Sequence, residues 1–438
     1  VSATSPHIAE KDLGLIEVDS EVLQPILSIA EAMKENAPVI HDDLSTHFTH
    51  DRFLKGDDTG VKGNVASHIQ HKLGDTEQGF QEADVIVERE FTTQTVHQGY
   101  IEPHASTATW AGDGRLTIWT CTQGSFAIRA SSAAILEIPE SQVRVIPTEI
   151  GGGFGAKITT YLEPVAAVLS KKSGRPVKIV MSRKDVFEGT GPASASLMRT
   201  KIGATNDGKI TAVELWMAFD AGAYPGSPIG GGTLCATGPY NIEHLLVDGY
   251  DVVTNHQKVQ AYRAPGQPQG AFAVEPLIDE LAEKLGMDPM EFRLRNAVTE
   301  GDRIPNGIAH PHFGITEMEQ AMKNHSHYET PLAGPNQGRG VAVGYRWQGG
   351  QPSSATITVN NNGTINLVTG SVDIGGSRTA VAMQAAEILG ISAEDVSPTV
   401  VDTDTIGYTA TTGGSLDQCR KANSLTGHSE FGVIFDFN

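Results

Sequence analysis

The spacing of apolar residues divides the chain into short strands and amphipathic helices. Three stretches alternate apolar and polar residues around an Asp-Gly or Asn-Gly pair, which is the signature of a β-hairpin. They are Ser106–Thr120, Lys201–Met217 and Ala355–Thr369. Two further runs, Leu15–Val18 and Glu21–Leu23, predict strands near the start of the sequence.

Helical spacing is equally clear in the middle of the chain. The apolar residues that follow it are Val274, Leu277, Ile278, Leu281 and Leu285. Gly286 is placed to end this helix. Asp288 is predicted to cap the next one, with Pro289 at its first position and Glu291 at its third. Glu275 is expected in an opening turn, where a carboxylate favours the helix dipole. Strands and helices together predict a mixed α+β protein.

One order of elements occurs twice along the chain. Each copy has a hairpin, a glycine-containing loop, a helix, a strand and a second glycine-rich loop. The ends of the two helices, Ala134–Ile138 and Glu387–Ile391, resemble each other, and strands follow at Val143–Ile146 and Pro398–Val401. The shared order of elements predicts two related domains. Between them, Pro331–Gly340 has the composition of a linker.

Composition narrows the class of protein. With 438 residues, 39% of them hydrophobic, the chain can bury a sizeable core. The formal net charge is -20 and no dense Lys/Arg run occurs, so nucleic acid and membranes are not expected as partners. The cysteines (Cys121, Cys235 and Cys419) lack the spacing of zinc or iron–sulfur ligands. A reducing compartment fits this usage, and we expect a cytoplasmic protein.

A glycine-rich loop follows the strand of the first copy. Backbone N–H groups in such a loop approach an anion closely, because no Cβ obstructs positive φ. Gly151, Gly153 and Ala156 also fit the GxGxxA pattern of a Rossmann site, and Arg183 follows the next strand as in NADP-binding examples. Against that interpretation, Pro164 would interrupt the Rossmann helix. A glycine turn that only packs a helix on a strand is a further alternative.

Several polar residues have simple structural interpretations. His97 and His104 flank Glu102, but strand or turn spacing does not bring them together as metal ligands. Glu102 is more typical of a capping or salt-bridged carboxylate than of a catalytic one. Arg263 precedes the breaker-rich Pro265–Pro268, so it lies either rigidly near an anion or on a surface turn.

Several segments together resemble the large subunit of the xanthine dehydrogenase and aldehyde oxidase family of molybdenum hydroxylases. The run Gly151–Lys157 is similar to that family's GGGFG(G/A)K loop, and Gln123 precedes it as the family's glutamine does. Ala261–Gln269 resembles the family's A(F/Y)R…G.PQ segment. Thr369–Gly376 and Thr412–Ser415 resemble two further cofactor loops.

The resemblance covers Val1 to Ser415 and implies an α+β fold in which two related halves enclose a pyranopterin. The implied order is the end of an α/β-hammerhead domain (1–60), a first molybdopterin-binding domain (61–330), a linker (331–340), the start of a second molybdopterin-binding domain (341–415) and a divergent tail (416–438). It also implies that the chain is incomplete at both ends and that the second molybdopterin-binding domain is incomplete.

The resemblance implies roles for individual residues. Gln123 would hydrogen-bond an oxygen on molybdenum, and Arg263 would support developing charge beside the metal, which no protein side chain would ligate directly. The residues implied to hold the cofactor are Gly152, Gly153, Phe154, Gly155, Ala156, Ile374, Gly375, Gly376, Ser377, Gly413, Gly414 and Ser415. The implied cofactor is molybdopterin in its cytosine dinucleotide form, carrying molybdenum.

The implied partners are an iron–sulfur subunit with [2Fe-2S] clusters, a FAD subunit and a small-molecule substrate. A second molybdopterin-binding chain is a further candidate, because the family's catalytic glutamate has no counterpart in this sequence. We therefore expect activity only when another segment or chain supplies that glutamate.

Departures from the family pattern bear on the substrate. Xanthine-oxidising members have a glutamate where this chain has Ile158, an arginine that aligns with Gly231 and an aromatic that aligns with Pro265. In carbon monoxide-oxidising members a copper-holding cysteine aligns with Ala264. The implied reaction is oxidation of an aldehyde or N-heterocycle, with oxygen derived from water and hydride passing to a sulfido ligand on molybdenum. Xanthine and carbon monoxide are not expected as substrates.

Two other interpretations stay open from the sequence. One is an NADP-dependent reductase built on Gly151, Gly153 and Arg183. The other is a catalytically silent fragment or interaction module.

Overall fold

The computed structural model describes residues 2–51, 55–310, 314–346 and 351–413, together with the backbone of Ile434–Phe437. Numbered along the chain, the strands are β1 (Ser45–Thr49), β2 (Asp57–Lys62), β3 (Val65–Leu73), β4 (Val85–Thr93), β5 (Ala105–Trp110), β6 (Leu116–Thr120), β7 (Val143–Pro147), β8 (Val177–Val180), β9 (Ser196–Ala204), β10 (Ile210–Gly222), β11 (His244–Val253), β12 (Ala355–Val359), β13 (Ile365–Thr369), β14 (Val396–Val400) and β15 (Ile434–Phe437). The α-helices are α1 (Pro6–Leu13), α2 (Ile29–Ala32), α3 (Thr76–Gln81), α4 (Ser125–Leu136), α5 (Glu163–Ser173), α6 (Arg183–Gly189), α7 (Ile229–Cys235), α8 (Gln267–Leu285), α9 (Pro289–Asn296), α10 (Ile315–Lys323), α11 (Ser326–Glu329) and α12 (Ser377–Leu389).

The strands form three sheets. The largest has the order β2-β1-β3-β11-β10-β9-β4, with parallel pairing between β1 and β3 and between β10 and β11. Helix α8 packs against β4 and β9, and α7 packs against β11. Their apolar side chains share one core, which includes Met217, Phe219, Leu277, Ile278 and Leu281.

The three predicted hairpins are confirmed. They are the antiparallel pairs β5/β6, β9/β10 and β12/β13. Their turn glycines have positive φ values, 86° at Gly114, 86° at Gly208 and 83° at Gly363. Glycine adopts this conformation without the steric cost of a Cβ, which is why Asp-Gly and Asn-Gly mark such turns.

The predicted helix around Val274 is α8, and Gly286 follows its last residue with φ 64°. Asp288 caps α9 as expected. The prediction for Glu275 is wrong. Because α8 already begins at Gln267, Glu275 lies in the middle of the helix and is buried, and its Oε2 accepts a hydrogen bond from Arg293 at 2.9 Å.

The two strands predicted near the start of the chain are also wrong. Residues 14–28 have no regular secondary structure, and the side chains of Val18 and Val22 are 79% and 91% exposed. Alternating polarity makes a strand only where a neighbouring strand accepts and donates hydrogen bonds, and the described residues place none beside this segment. The chain joins the core at Ile26 and Ile29, which pack against the seven-stranded sheet.

The element order that occurs twice in the sequence is present in both four-stranded sheets. We call residues 105–180 the first repeat unit and residues 355–413 the second repeat unit. Their sheets have the orders β7-β6-β5-β8 and β14-β13-β12-β15. In each unit a helix, α4 or α12, leads from the hairpin to a strand parallel to it. Both helices end at a left-handed residue, Glu137 (φ 54°) and Gly390 (φ 67°).

Each repeat unit has its own apolar core. The core of the first unit includes Leu116, Ile118, Ile128, Val143 and Val145. The core of the second includes Ile357, Leu367, Val381, Ala385 and Val396. Across the described ranges no apolar cluster has members from both units. The segment predicted as a linker, residues 331–340, is mostly exposed and has no regular secondary structure.

In the parts of the chain that the structure describes, no helix combines the length and apolar character required to cross a membrane.

Candidate functional site

The loop after β7, residues 151–157, is held by close packing, and we call it the triple-glycine loop. Three of its glycines have a neighbour where a side chain would begin. A Cβ would lie 2.5 Å from Cβ of Glu102 at Gly151, 2.6 Å from Oε1 of Gln123 at Gly153, and 2.5 Å from the carbonyl oxygen of Ala261 at Gly155. Real Cβ atoms essentially never approach other atoms this closely. The path of the loop therefore requires glycine, and that path brings three separate segments together.

Gln123 lies where the two repeat units meet. Its buried Oε1 accepts hydrogen bonds from the N–H groups of Gly155 (2.9 Å) and Lys157 (3.3 Å). Its Nε2 donates to the carbonyl oxygen of Thr412 at 3.1 Å. Its main chain repeats this link, because its N–H donates to Lys157 O and its C=O accepts from Thr412 N–H, both at 2.8 Å. One residue therefore ties the triple-glycine loop to the second repeat unit.

Backbone strain is concentrated beside Gln123. Apart from Glu137, the non-glycine residues that the described chain holds at positive φ are Phe154 (56°), Arg263 (22°) and Ala264 (61°). The N–H of Arg263 donates to the carbonyl oxygen of Phe154 at 2.9 Å, and its guanidinium lies 5.3 Å from the centre of the Phe154 ring. Such conformations cluster at functional sites. Phe154 and Arg263 together form a fixed, exposed surface.

A partly buried ion pair supports the triple-glycine loop. The side chain of Lys157 is fully buried, and its Nζ lies 2.5 Å from Oε2 of Glu102. The same carboxylate oxygen accepts the N–H of Gly151 at 2.7 Å. The interpretation of Glu102 as a salt-bridged carboxylate is confirmed.

The two histidines that flank Glu102 contact two neighbouring hydroxyls, those of Tyr100 and Thr190, which lie 3.2 Å apart. His104 Nε2 lies 2.9 Å from the Tyr100 hydroxyl, and His97 Nε2 lies 2.9 Å from the Thr190 hydroxyl. Burial, with a smaller effect of Lys157, lowers the pKa of His104 to about 4, so its ring is neutral near neutral pH. No group of three His, Cys, Asp or Glu residues within the described ranges is arranged to hold a metal ion.

The glycine loop of the second repeat unit, residues 373–377, is filled by its own carboxylate. Oδ1 of Asp373 accepts the N–H groups of Gly375 (2.9 Å), Gly376 (2.8 Å) and Ser377 (3.0 Å). Its Oδ2 accepts from Arg378 Nε at 2.7 Å. Although burial raises the pKa of the Asp373 carboxyl, these hydrogen bonds hold it well below its usual range. The role of Asp373 was missed from the sequence: it lies three residues before Gly376, the N-cap of α12, outside the position at which a capping aspartate is expected.

The Rossmann interpretation is wrong. Strand β8, the next after the triple-glycine loop, pairs antiparallel with β5 rather than parallel with β7. Helix α5 begins only at Glu163, with Pro164 in its first turn, so no long helix starts at the glycines. Arg183 donates to the carbonyl oxygens of Tyr100 and Ile101, which occupies its guanidinium.

The residues implied by the resemblance lie in three loops. Gly152, Gly153, Phe154, Gly155 and Ala156 belong to the triple-glycine loop, Ile374, Gly375, Gly376 and Ser377 to the loop of residues 373–377, and Gly413 follows Thr412. Gly414 and Ser415 lie outside the described residues. The structure brings the triple-glycine loop, Arg263 and Thr412 together around Gln123. The loop of residues 373–377 is joined to them through Arg378, whose Nη2 lies 2.9 Å from Oε2 of Glu149.

The surroundings of Gln123 fit a polar, oxygen-rich cofactor. The hydroxyl oxygens of Ser125 and Thr412 are buried and have no hydrogen-bond partner in the structure. Buried polar atoms are normally paired, so unpaired ones indicate a missing ligand or water. Together with a loop whose path requires glycine, they suit a molybdopterin that approaches the backbone closely.

Two family models and several relatives match this chain. Models described as molybdopterin cofactor-binding domains match residues 58–297 and 317–424. The nicotinate dehydrogenase large molybdopterin subunit of Eubacterium barkeri is 31% identical over 328 residues, which cover 74% of this chain and 73% of that subunit. A probable hypoxanthine oxidase of Escherichia coli O157:H7 is 31% identical over 448 residues, covering 92% of this chain and 46% of the oxidase.

The fold is similar to that of the aldehyde oxidoreductase from Desulfovibrio gigas. The TM-score is 0.83 at 27% sequence identity, and the match covers 97% of this chain and 47% of that one. The chain therefore spans about half the length of this oxidoreductase and of the hypoxanthine oxidase. The predicted α+β class is confirmed.

Proposed function

This chain belongs to the molybdenum hydroxylase family of xanthine dehydrogenases and aldehyde oxidoreductases, and from that premise we propose that it is the cofactor-holding component of an enzyme that oxidises an aldehyde or an aromatic N-heterocycle. The observation that carries the proposal is the joining of the triple-glycine loop to the second repeat unit through the buried side chain of Gln123. That junction lies beside the exposed surface of Phe154 and Arg263.

When bound, the molybdenum cofactor supplies the two-electron chemistry that transfers a water-derived oxygen to the substrate. Gln123 is well placed to orient it, because two backbone donors fix the amide oxygen and leave Nε2 with one proton beyond its bond to Thr412. The backbone of Phe154 and Gly155 forms a wall that admits no side chain at residue 155. Arg263 brings a permanent positive charge that stabilises negative charge developing on the substrate.

Around the site, Arg263 has no companion arginine at residue 231, where xanthine-oxidising members of the family have one. We therefore favour a substrate that is recognised without a second arginine. A Cβ on Gly231 would lie 2.5 Å from the carbonyl oxygen of Pro265, so no longer side chain fits there. Ile158 and Ala264 are apolar and partly buried, and neither recognises a purine through charge or holds copper. Xanthine and carbon monoxide are therefore excluded from the proposal. The names of the relatives, nicotinate dehydrogenase and aldehyde oxidoreductase, support the two substrate classes that we propose.

We further propose that electrons leave through [2Fe-2S] and FAD groups on partner subunits. Cys121 and Cys235 are both buried and lie in different parts of the fold, which does not suit cluster ligation by this chain. The cytosine dinucleotide form of the cofactor, a catalytic glutamate from another segment or chain, and a cytoplasmic location belong to the same proposal.

The test is metal analysis of the chain purified from a host that makes the cofactor. We expect molybdenum and pterin fluorescence in the unaltered chain, and their loss in Gly153→Ala, because the new Cβ would displace the amide of Gln123. Gly112→Ala is the matched control, since a Cβ at Gly112 meets nothing within 4 Å.

Dye reduction in a complex reconstituted with iron–sulfur and flavin subunits would then compare benzaldehyde, nicotinate and xanthine. We expect turnover of one of the first two. Absence of molybdenum from the unaltered chain refutes the proposal and favours a catalytically silent module instead.

A further inference from the structure

The junction between the two repeat units is mainly charged and polar, with one ring contact in the described residues between Phe126 and Tyr408, whose centres lie 5.5 Å apart. Each unit buries its own apolar core, and no described apolar cluster bridges them. Ion pairs also bridge the two units. Because a single surface ion pair contributes little free energy, the effect of these pairs depends on where they fix the chain.

The segment that follows β14 extends the edge of the first unit's sheet. Strand β7 is an edge strand of that sheet. The N–H of Thr403 donates to the carbonyl oxygen of Val145 at 3.1 Å, and the N–H of Val145 donates to the Thr403 hydroxyl at 3.0 Å. Residue 403 of the second unit therefore lies against the first unit in a fixed register.

Two arginines of the first unit hold the residues on either side of Thr403. Arg144 Nη2 lies 2.6 Å from Oδ2 of Asp402, and Arg115 Nη2 lies 2.5 Å from Oδ2 of Asp404. Arg129 adds a hydrogen bond from Nη1 to the carbonyl oxygen of Thr403 at 3.1 Å. Although burial raises the pKa of Asp402, its hydrogen bond from Arg144 helps to lower it to about 2, so the carboxylate is charged at neutral pH. We call Arg144–Asp402 and Arg115–Asp404 the ionic clasp.

The ionic clasp lies a short way along the chain from the candidate cofactor site. After Asp404, residues 405–411 lead directly to Thr412, which pairs with Gln123. Gly124 has Thr411 so close that a Cβ would meet its hydroxyl at 2.5 Å. A segment fixed at residues 402–404 and again at 411–412 has little freedom between these points.

We propose that Arg115 and Arg144 are positioning residues: through the ionic clasp they hold Thr412 against Gln123, and in doing so they keep the cofactor between the two repeat units. The part that concerns the cofactor rests on the proposed function. Both arginines are exposed, at 48% and 41%, so salt reaches the clasp. The Debye screening length falls from about 10 Å at 0.1 M salt to about 3 Å at 1 M, so high salt weakens the ionic clasp.

The first experiment measures amide hydrogen exchange in the chain without cofactor. The double variant Arg115→Gln/Arg144→Gln is compared with Arg89→Gln/Arg199→Gln. The control removes ion pairs of similar length, Arg89–Glu280 at 2.6 Å and Arg199–Glu90 at 2.7 Å, on the seven-stranded sheet. We expect exchange of Thr412 to rise about fivefold in the first variant and to stay unchanged in the control, since two pairs together contribute roughly 1 kcal/mol.

Exchange of Met217, in the central part of the seven-stranded sheet, reports whether each variant is folded. Raising sodium chloride should reproduce the effect of the double variant in the unaltered chain. Thr412 exchange that is the same in the double variant and the control, with Met217 protected in both, overturns the clasp.

The second experiment measures molybdenum per chain after gel filtration in high salt. Loss from the double variant but not from the control supports the role in cofactor retention, and equal retention overturns it. Absence of molybdenum from the unaltered chain would count against the proposed function, while the exchange measurement would still decide whether the clasp exists.

Discussion

Gln123→Ala should destabilise the folded chain. The change removes an amide that pairs with the N–H groups of Gly155 and Lys157 and with the carbonyl oxygen of Thr412. Buried polar groups that lose their partner cost about 1–3 kcal/mol each, so three such groups give a loss of about 3 kcal/mol at the lower end of that range. In a chain of this size we expect the melting temperature to fall by about 3–6 °C.

Differential scanning calorimetry of the unaltered chain and the variant measures this shift. The matched control is Gln78→Ala, whose Nε2 makes one exposed bond to Glu82 at 2.8 Å; exposed helix pairs contribute only about 0.3–0.5 kcal/mol. Gln123→Glu sharpens the test, because its carboxylate would face the carbonyl oxygen of Thr412 and only its protonated form can donate there. Its destabilisation should therefore shrink as the pH falls. A shift in Gln123→Ala no larger than in the control would refute the role of this residue at the junction.

Two further predictions concern buried charge. Glu319 is fully buried with both carboxylate oxygens unpaired in the structure, and burial raises its pKa to about 7 although Arg293 lowers it. The folded state therefore binds this proton more tightly than the unfolded state, and stability is lost as pH rises from about 4.5 towards about 7. Glu319→Gln should gain up to about 3 kcal/mol in urea unfolding near pH 8 and little near pH 4, and equal gains at both would contradict the shift. Glu102→Gln leaves the buried ammonium of Lys157 without a counter-charge, at a cost of about 3–5 kcal/mol. Lys157→Met leaves the Glu102 carboxylate, which is one-third exposed and still accepts the N–H of Gly151. The melting temperature of Lys157→Met should therefore fall less than that of Glu102→Gln. A larger fall in Lys157→Met would contradict this reasoning.

Local chemistry made much of the fold predictable. The hairpin turns at Gly114, Gly208 and Gly363 and the cap at Asp288 depend on residues within a few positions of one another. The wrong predictions concern elements whose formation depends on residues far away in the sequence. The apolar residues of Leu15–Val18 and Glu21–Leu23 matched a strand, but whether such a run pairs depends on a neighbouring strand that the local sequence cannot specify.

In the candidate site, too, the features that depend on neighbouring residues were predictable and those that depend on distant residues were not. Its glycines were visible in the sequence because a run of them has a direct steric meaning, but what they pack against was not. Gln123 is joined to Gly155, 32 residues away, and to Thr412, 289 residues away, and only the resemblance to a family marked it in the sequence. Asp373 belongs to the loop that it fills, but it lies three residues before the N-cap Gly376, so no capping pattern marked it. The ionic clasp had no sequence signal, since isolated arginines and aspartates occur throughout a surface.

The length of chain between Gln123 and Thr412 bears on how the protein is made. During synthesis the seven-stranded sheet, which needs only residues 45–253, and the first repeat unit leave the ribosome well before Asp402 does. Domains tend to fold in that order. The triple-glycine loop is then built against Glu102 and Ala261 while the side that faces the second repeat unit is still open. The contacts between Gln123 and Thr412, which join residues 289 positions apart, are therefore expected to form after the triple-glycine loop is in place.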